Sequence, residues 1–150
     1  MRTLATADDS KMPELEKVVY MAQVYATGGR DGGSARSSDG RLDVKLAVPG
    51  SHREGTNPEQ LFAAGWSACF TSAMLIAAQQ QNITLLPGTA VEAEVDLCKV
   101  DGSHVLQARL NISLPGLESG VAESIVRAAH QLCPYSKATR GNINLVINLV

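Results

Sequence analysis

Residues 56–80 read TNPEQLFAAGWSACFTSAMLIAAQQ, and this stretch decides the fold. Asn57 is a good helix N-cap, and Pro58 suits the first helical position. The stretch therefore predicts a helix that runs to about Gln80. Residues 61–78 contain no charged side chain. A helix that is apolar all round is usually buried, so we expect this one to be buried on every side at the centre of the domain.

Composition excludes several classes of protein. The chain has 150 residues, of which 45% are hydrophobic and 19% charged. This fits one folded domain with a real core and excludes intrinsic disorder. The 13 basic residues are offset by 15 acidic ones, so no general cationic surface exists for nucleic acid. The central helix is long enough for a membrane span, but its Ala, Ser and Gly content and its lack of flanking basic clusters argue against one.

Strand patterns lie on both sides of the helix. Composition or period-two alternation predicts strands at residues 17–26, 42–48, 91–98, 104–114 and 144–150. Glycine-rich turns separate three strands before the helix, and an amphipathic pattern predicts a second helix that Pro134 ends. The order β-β-β, long helix, β-β, helix, β predicts an α+β domain with antiparallel sheets, rather than a βαβ doubly wound fold. We expect a flexible leader at 1–14 and a single domain at 15–150.

Two of the three cysteines lie on the predicted helices. Cys69 is at the middle of the long helix. It lies at the edge of a stripe formed by Phe62, Trp66 and Phe70, which are spaced four residues apart. Buried cysteines and aromatic stripes are usually core, so an inert Cys69 is the plain interpretation. Cys133 ends the second helix, where the helix dipole disfavours a thiolate, so it suits a partner better than a nucleophile. The sequence does not show whether the two sulfurs meet.

A reactive Cys69 needs a nearby cation, and Arg30 in the glycine-rich loop 28–33 is a candidate. An exposed arginine in a surface turn is an equal alternative. Glu59 is ten residues before Cys69, about 15 Å along a straight helix. If both serve one site, an arginine bridges them, the helix bends, or a second subunit supplies one of them.

The remaining cysteine and the histidines give weaker signals. Cys98 shares an acidic strand face, the wrong field for a thiolate, and we expect it to be a bystander. His130 precedes Cys133 by three residues, a weak candidate for a Cys–His pair. The three histidines have no ligand-like spacing, so we predict no metal site and no bound cofactor. The polar N-terminus and the odd cysteine count predict a cytoplasmic protein with reduced thiols.

Three motifs resemble the organic hydroperoxide resistance (Ohr) proteins of the Ohr/OsmC superfamily: ATGGRDG (26–32), GTNPEQLFAAGWSACF (55–70) and CPYSKATRGN (133–142). The resemblance covers about Leu15 to Val150. It implies a thiol peroxidase that reduces organic hydroperoxides, including those of fatty acids. It also implies an intertwined α+β homodimer with sites at the subunit interface, reduced by dihydrolipoyl groups on lipoylated proteins.

The resemblance implies roles for four residues: Cys69 as the peroxidatic cysteine, Cys133 as the resolving one, and Arg30 with Glu59 as the pair that orients and activates the thiolate. We further expect an apolar wall for the alkyl chain, formed by Phe62, Trp66, Phe70 and Met74. The loop 49–55 is shorter and more charged than the family pattern, so access of substrate is expected to differ.

Three alternatives stay open at this stage. A thiol redox sensor would form the disulfide without turnover. An OsmC-like protein would bind hydroperoxides with another specificity. A structural or lipid-carrying module would contain both cysteines incidentally.

Overall fold

The computed structural model describes residues 16–150, so the predicted leader lies outside the described residues. The elements are β1 (Val24–Thr27), β2 (Ser34–Ser37), β3 (Asp43–Lys45), α1 (Pro58–Gln80), β4 (Ala90–Val100), β5 (Ser103–Ser113), α2 (Ser119–Leu132), α3 (Pro134–Thr139) and β6 (Asn144–Leu149). The strands form two three-stranded sheets, ordered β1-β2-β3 and β4-β5-β6. The predicted α+β class is confirmed.

Helix α1 begins and ends where the sequence predicts. The Asn57 Oδ1 atom accepts a hydrogen bond of 2.9 Å from the backbone N–H of Gln60, which satisfies one of the free donors of the first turn. Pro58 occupies the first turn, where its missing N–H costs nothing. The cap therefore fixes the start of the helix that carries Cys69 and Glu59.

The predicted burial of α1 on every side is wrong within the described chain. Its buried face contains Trp66, Phe70, Ala73, Met74, Ala77 and Ala78. On the other side Leu75 is 54% exposed and Ile76 is 49% exposed. The chain provides a sheet and α2 for one side of α1 only, which leaves an apolar face uncovered. Among residues 16–150, α1 is also the one helix with the length and hydropathy to cross a membrane.

The second sheet supplies the floor of the core. Strands β4 and β5 pair antiparallel, and a tight turn with positive φ at Asp101 and Gly102 joins them as predicted. The inner side chains of β5, Ala108, Leu110 and Ile112, are buried against the two long helices. This packing holds α1 and α2 side by side.

Two details of the sheets and helices differ from the predictions. Strand β6 pairs parallel to β5, so the second sheet is not wholly antiparallel. The helices α2 and α3 carry the chain back to the other end of the sheet, which makes a parallel crossover. Pro134 ends α2 but also begins α3, a short helix that the sequence analysis missed.

The predicted strand at 17–26 is largely absent from the described chain. Only its end forms β1, and residues 16–23 have no regular structure. The side chains of Val18, Val19, Tyr20 and Met21 are 74–89% exposed. Among residues 16–150, no strand pairs with residues 16–22 of this segment. Strand β3 is also shorter than predicted, covering three residues of 42–48.

Candidate active site

The structure brings the two helical cysteines together. The Sγ atoms of Cys133 and Cys69 are 3.1 Å apart, and both thiols are free. Packing of α1 against α2 produces this contact between residues 64 positions apart. Cys98 is a third free thiol on β4.

Solvent reaches the two thiols unequally. Cys133 is completely buried, whereas Cys69 is partly exposed. A small molecule from solution therefore meets Cys69 first. The Sγ atom of Cys133 contacts the Sγ atom of Cys69. Of the two contacting sulfurs, that of Cys69 is therefore the more accessible from solution.

The surroundings of Cys69 act on its acidity in both directions. Burial is the largest effect and raises the pKa of the Cys69 thiol; the adjacent Cys133 sulfur adds to the rise, because two thiolates at this distance repel each other. The backbone N–H of Tyr135, in the first turn of α3, lowers this pKa by donating to the sulfur. Cys69 is the less buried of the two cysteines, so a negative charge on its sulfur costs less than at a completely buried position.

One stripe of α1 faces α3 around the thiols. Phe62, Gly65, Trp66 and Cys69 follow the helical repeat along this stripe. A Cβ atom on Gly65 would lie 2.6 Å from the Tyr135 Oη atom, so the absent side chain is what lets α3 approach. The sequence analysis missed this role of Gly65. Its signal was a glycine inside a long helix, which is unfavourable without a packing reason.

Polar and aromatic contacts also join α1 to α3. The indole N–H of Trp66 donates to the Oγ atom of Ser136, which is completely buried, over 3.4 Å. The Phe62 ring meets the Trp66 ring edge-on at 5.5 Å and the Tyr135 ring at 5.9 Å. Three aromatic rings therefore pack together where α1 meets α3.

Arg30 and Glu59 form an ion pair. The Arg30 Nη2 atom lies 2.7 Å from Glu59 Oε1, and Nη1 lies 3.4 Å from Oε2. Glu59 is only 14% exposed, so the contact is partly shielded from water. Positive φ at Gly28 and Gly29 turns the chain so that the Arg30 side chain reaches the start of α1. The pair also borders a cavity of about 720 Å³ between α1 and β4.

The pair does not act on Cys69 in this structure. Within the described chain the guanidinium of Arg30 hydrogen-bonds to Glu59, and it is not among the groups that shift the pKa of Cys69. The predicted lowering of this pKa by Arg30 is therefore not observed, because the carboxylate of Glu59 already holds the cation. One of the three predicted ways to link Glu59 to the thiol was an arginine that bridges them. Among the described residues, Arg30 contacts Glu59 but does not also contact Cys69.

The predicted apolar wall is largely core. Trp66, Phe70 and Met74 have no exposed surface. A substrate cannot contact them without unpacking the domain, and they are reassigned to the core cluster. Phe62 is the one member of the four that is partly exposed, and it lies beside Tyr135 near the thiols.

The charged loop 49–55 lies next to the arginine loop. The Arg53 side chain covers Gly32, where any Cβ atom would collide with the guanidinium. Arg53 also pairs with Asp31 at 3.8 Å across two exposed side chains. The loop 49–55 thus places a second arginine against the loop that carries Arg30.

The remaining candidates lie away from the thiol pair. On the face of β4 that carries Cys98, Arg109 pairs with Glu94 and with Asp96 at 2.7 Å each, and these contacts hold the pKa of both carboxyls below the usual range. Burial lowers the pKa of His130. Within residues 16–150, no group of three or more His, Cys, Asp or Glu side chains could hold a metal ion.

The fold and the site together define a class: an α+β protein whose central helix carries a partly exposed thiol against a buried one. A family model described as "OsmC-like protein" matches residues 48–148. The chain belongs to this family, in its organic hydroperoxide resistance branch.

Relatives with that name support the assignment. The organic hydroperoxide resistance protein of Xanthomonas axonopodis pv. citri is 44% identical over 142 residues, covering 92% of this chain and 99% of the relative. The crystal structure of OhrB of Bacillus subtilis superposes with a TM-score of 0.84 at 40% identity, covering 89% of this chain and 100% of that one. An organic hydroperoxide resistance protein from Elizabethkingia anophelis gives 0.82 at 37% identity, covering 89% and 97%.

Proposed function

We propose that the chain is a cysteine-based peroxidase that reduces organic hydroperoxides to alcohols. The observation that carries the proposal is the 3.1 Å contact between a partly exposed Cys69 and a buried Cys133. The named activity of the relatives, resistance to organic hydroperoxides, supports the substrate class. A structural module would need neither the contact nor the difference in exposure.

The chemistry has three steps. The Cys69 thiolate attacks one peroxide oxygen and releases the alcohol, which leaves a sulfenic acid on Cys69. The Cys133 thiol condenses with the sulfenic acid, and water departs as the disulfide forms. A dithiol then reduces the disulfide by exchange. On the resemblance to Ohr proteins, that dithiol is a dihydrolipoyl group of a lipoylated protein.

Arg30 and Glu59 are proposed to orient and activate Cys69. Burial raises the pKa of the Cys69 thiol, so a cation brought to this sulfur would favour the thiolate. Arg30 is held nearby by Glu59 in a loop with two positive-φ glycines. Either this loop moves toward the sulfur when substrate binds, or a second subunit brings its arginine to the site.

Several further properties belong to the same proposal. We place the protein in the cytoplasm, as a homodimer. The exposed apolar segment 18–21 and the exposed apolar face of α1 at Leu75 and Ile76 support the dimer, since a monomer would leave both in water. Phe62 is proposed to contact the alkyl group of the substrate, which would favour alkyl hydroperoxides over hydrogen peroxide.

Steady-state turnover tests the function. Reduced protein is supplied with tert-butyl hydroperoxide or hydrogen peroxide, and with dihydrolipoamide or thioredoxin as reductant. We expect repeated turnover, fastest with the alkyl hydroperoxide and dihydrolipoamide, and none in Cys69→Ser. Cys98→Ser is the matched cysteine control and should retain full activity. A single oxidation without turnover would instead identify a redox sensor.

A further inference from the structure

The contact between Gly65 and Tyr135 fixes the distance between the two thiols. Gly65 precedes Cys69 by one turn of α1, and Tyr135 follows Cys133 by two residues. A Cβ atom on Gly65 would approach Tyr135 Oη to 2.6 Å, Cζ to 3.1 Å and Cε1 to 3.4 Å. The tyrosine ring therefore lies directly on the bare backbone of α1, which no other residue at position 65 permits.

The same contact is braced from both sides. The Phe62 ring packs on the Tyr135 ring, and the Trp66 indole donates to the buried Ser136. The Thr139 hydroxyl donates to the Tyr135 carbonyl oxygen over 2.9 Å, which ties the end of α3 to its beginning. Cys133 is the N-cap of α3, two residues before Tyr135, so a shift of the Tyr135 backbone acts on the segment that positions Cys133.

We propose that Gly65 and Tyr135 are positioning residues for the condensation of the Cys69 sulfenic acid with Cys133. The inference rests on the proposed peroxidase function. It concerns the second step of that reaction, in which the disulfide forms. Neither residue takes part in the bond changes. They hold the Cys133 sulfur where it can attack.

The step is sensitive to position because it competes with another reaction. In the productive step the Cys133 sulfur bonds to the Cys69 sulfur, the S–O bond breaks, and the hydroxyl leaves as water with the Cys133 proton. If Cys133 is displaced, a second hydroperoxide oxidises the sulfenic acid to sulfinic acid and is itself reduced to alcohol. The first attack does not involve the Cys133 sulfur, and α3 contributes to it through the Tyr135 N–H that donates to Cys69.

Gly65→Ala separates these steps. Alanine is a better helix former than glycine, so α1 is not weakened by the change. The added methyl would lie 2.6–3.4 Å from atoms of the Tyr135 side chain, so the tyrosine must shift away from α1. We expect disulfide formation to slow by about 10- to 100-fold, since misplacement of reacting atoms by about 1 Å has effects of this size. Sulfenic acid formation should slow less than disulfide formation, because the Cys133 sulfur takes no part in it.

The double variant Gly65→Ala, Tyr135→Phe gives a rescue test. It removes the Oη atom, the closest of the colliding atoms, and should recover part of the disulfide rate. Tyr135→Ala removes the ring instead and should slow disulfide formation without any added methyl. Gly120→Ala on α2 is the matched control, because a Cβ atom there meets only Glu118 side-chain oxygens, at 3.4 Å or more.

The experiment measures both steps in one reaction. Fully reduced protein is mixed with tert-butyl hydroperoxide, quenched at intervals, and analysed by mass spectrometry for sulfenic acid, sulfinic acid and the Cys69–Cys133 disulfide. The proposal expects more sulfinic acid and less disulfide in Gly65→Ala, with disulfide formation slowed more than sulfenic acid formation. An unchanged disulfide rate in both single variants, or equal slowing of both steps, overturns it while the peroxidase stands. Absence of the disulfide in the wild type overturns both.

Discussion

A substitution at Met74 tests whether this residue belongs to the core or contacts the substrate. Its side chain is completely buried in the cluster that joins α1 to the second sheet and α2. A place in a substrate wall would require surface that Met74 does not have. Met74→Ala should therefore reduce stability strongly and leave the binding of hydroperoxide unchanged.

The expected size follows from the burial. Replacing a fully buried Met by Ala typically costs about 2–5 kcal/mol, through lost transfer free energy and the cavity left behind. For a domain of this size, each kcal/mol lowers the melting temperature by about 2–4 °C. A cost of about 3 kcal/mol thus corresponds to a fall of roughly 6–12 °C. Met74→Leu conserves volume and should cost less than about 1.5 kcal/mol.

The assay combines unfolding with kinetics. Urea and thermal unfolding give the loss of stability, and steady-state rates well below the melting temperature give KM for tert-butyl hydroperoxide and for a longer alkyl hydroperoxide. We expect destabilisation with unchanged KM. Unchanged stability with a raised KM that grows with alkyl length would refute the assignment of Met74 to the core.

Three further predictions concern the thiols, the ion pair and the dimer. The rate of Cys69 alkylation should keep rising with pH beyond pH 9, the ordinary pKa of a cysteine thiol, because burial raises the pKa of Cys69. Cys133→Ala should accelerate it at pH values below the pKa of Cys69, since the Cys133 sulfur also raises that pKa. Arg30→Ala should lower kcat/KM by about 10- to 100-fold, as loss of a charge-assisted contact costs about 1.5–3 kcal/mol, and Arg30→Lys should recover part of it. Tyr20→Glu should convert the dimer to monomer in light scattering, because the exposed ring at 77% lies in the apolar segment proposed to pair with the partner.

Each of these predictions has a clear contrary result. A plateau of Cys69 alkylation at neutral pH would show that the resting thiolate is already stabilised. Full kcat/KM in Arg30→Ala would remove the ion pair from the mechanism, with Arg127→Ala, in another exposed ion pair, as the control for loss of charge. A monomeric wild-type protein, or an intact dimer in Tyr20→Glu with Lys17→Glu as control, would contradict the assigned interface.

Local signals predicted the elements that are specified locally. The cap at Asn57, the uncharged stretch 61–78 and the alternation on either side of Asp101-Gly102 each belong to a single element, and the structure contains α1 and the β4–β5 hairpin accordingly. The thiol pair was predictable only in part. The residues at 69 and 133 were identified, but their contact depends on how α1, α2 and α3 pack.

Features that depend on contacts with segments far away in the sequence could not be predicted from local sequence patterns. The Val- and Tyr-rich segment 17–23 has strand composition but no neighbouring strand in the described chain, so it forms none. Alternation along 144–149 shows a strand and says nothing of its direction, which the α2–α3 crossover sets as parallel. Arg109 was overlooked because cross-strand register, not sequence distance, places it against Glu94 and Asp96.

The central claim is that Cys69 and Cys133 act as one redox couple. The most direct test treats reduced protein with one equivalent of tert-butyl hydroperoxide and maps disulfides by peptide mass spectrometry, with Cys98→Ser beside the wild type. The account predicts a Cys69–Cys133 disulfide in both proteins, and a stable oxidised Cys69 in Cys133→Ser. Oxidation at Cys98, or no bond between Cys69 and Cys133, would contradict it.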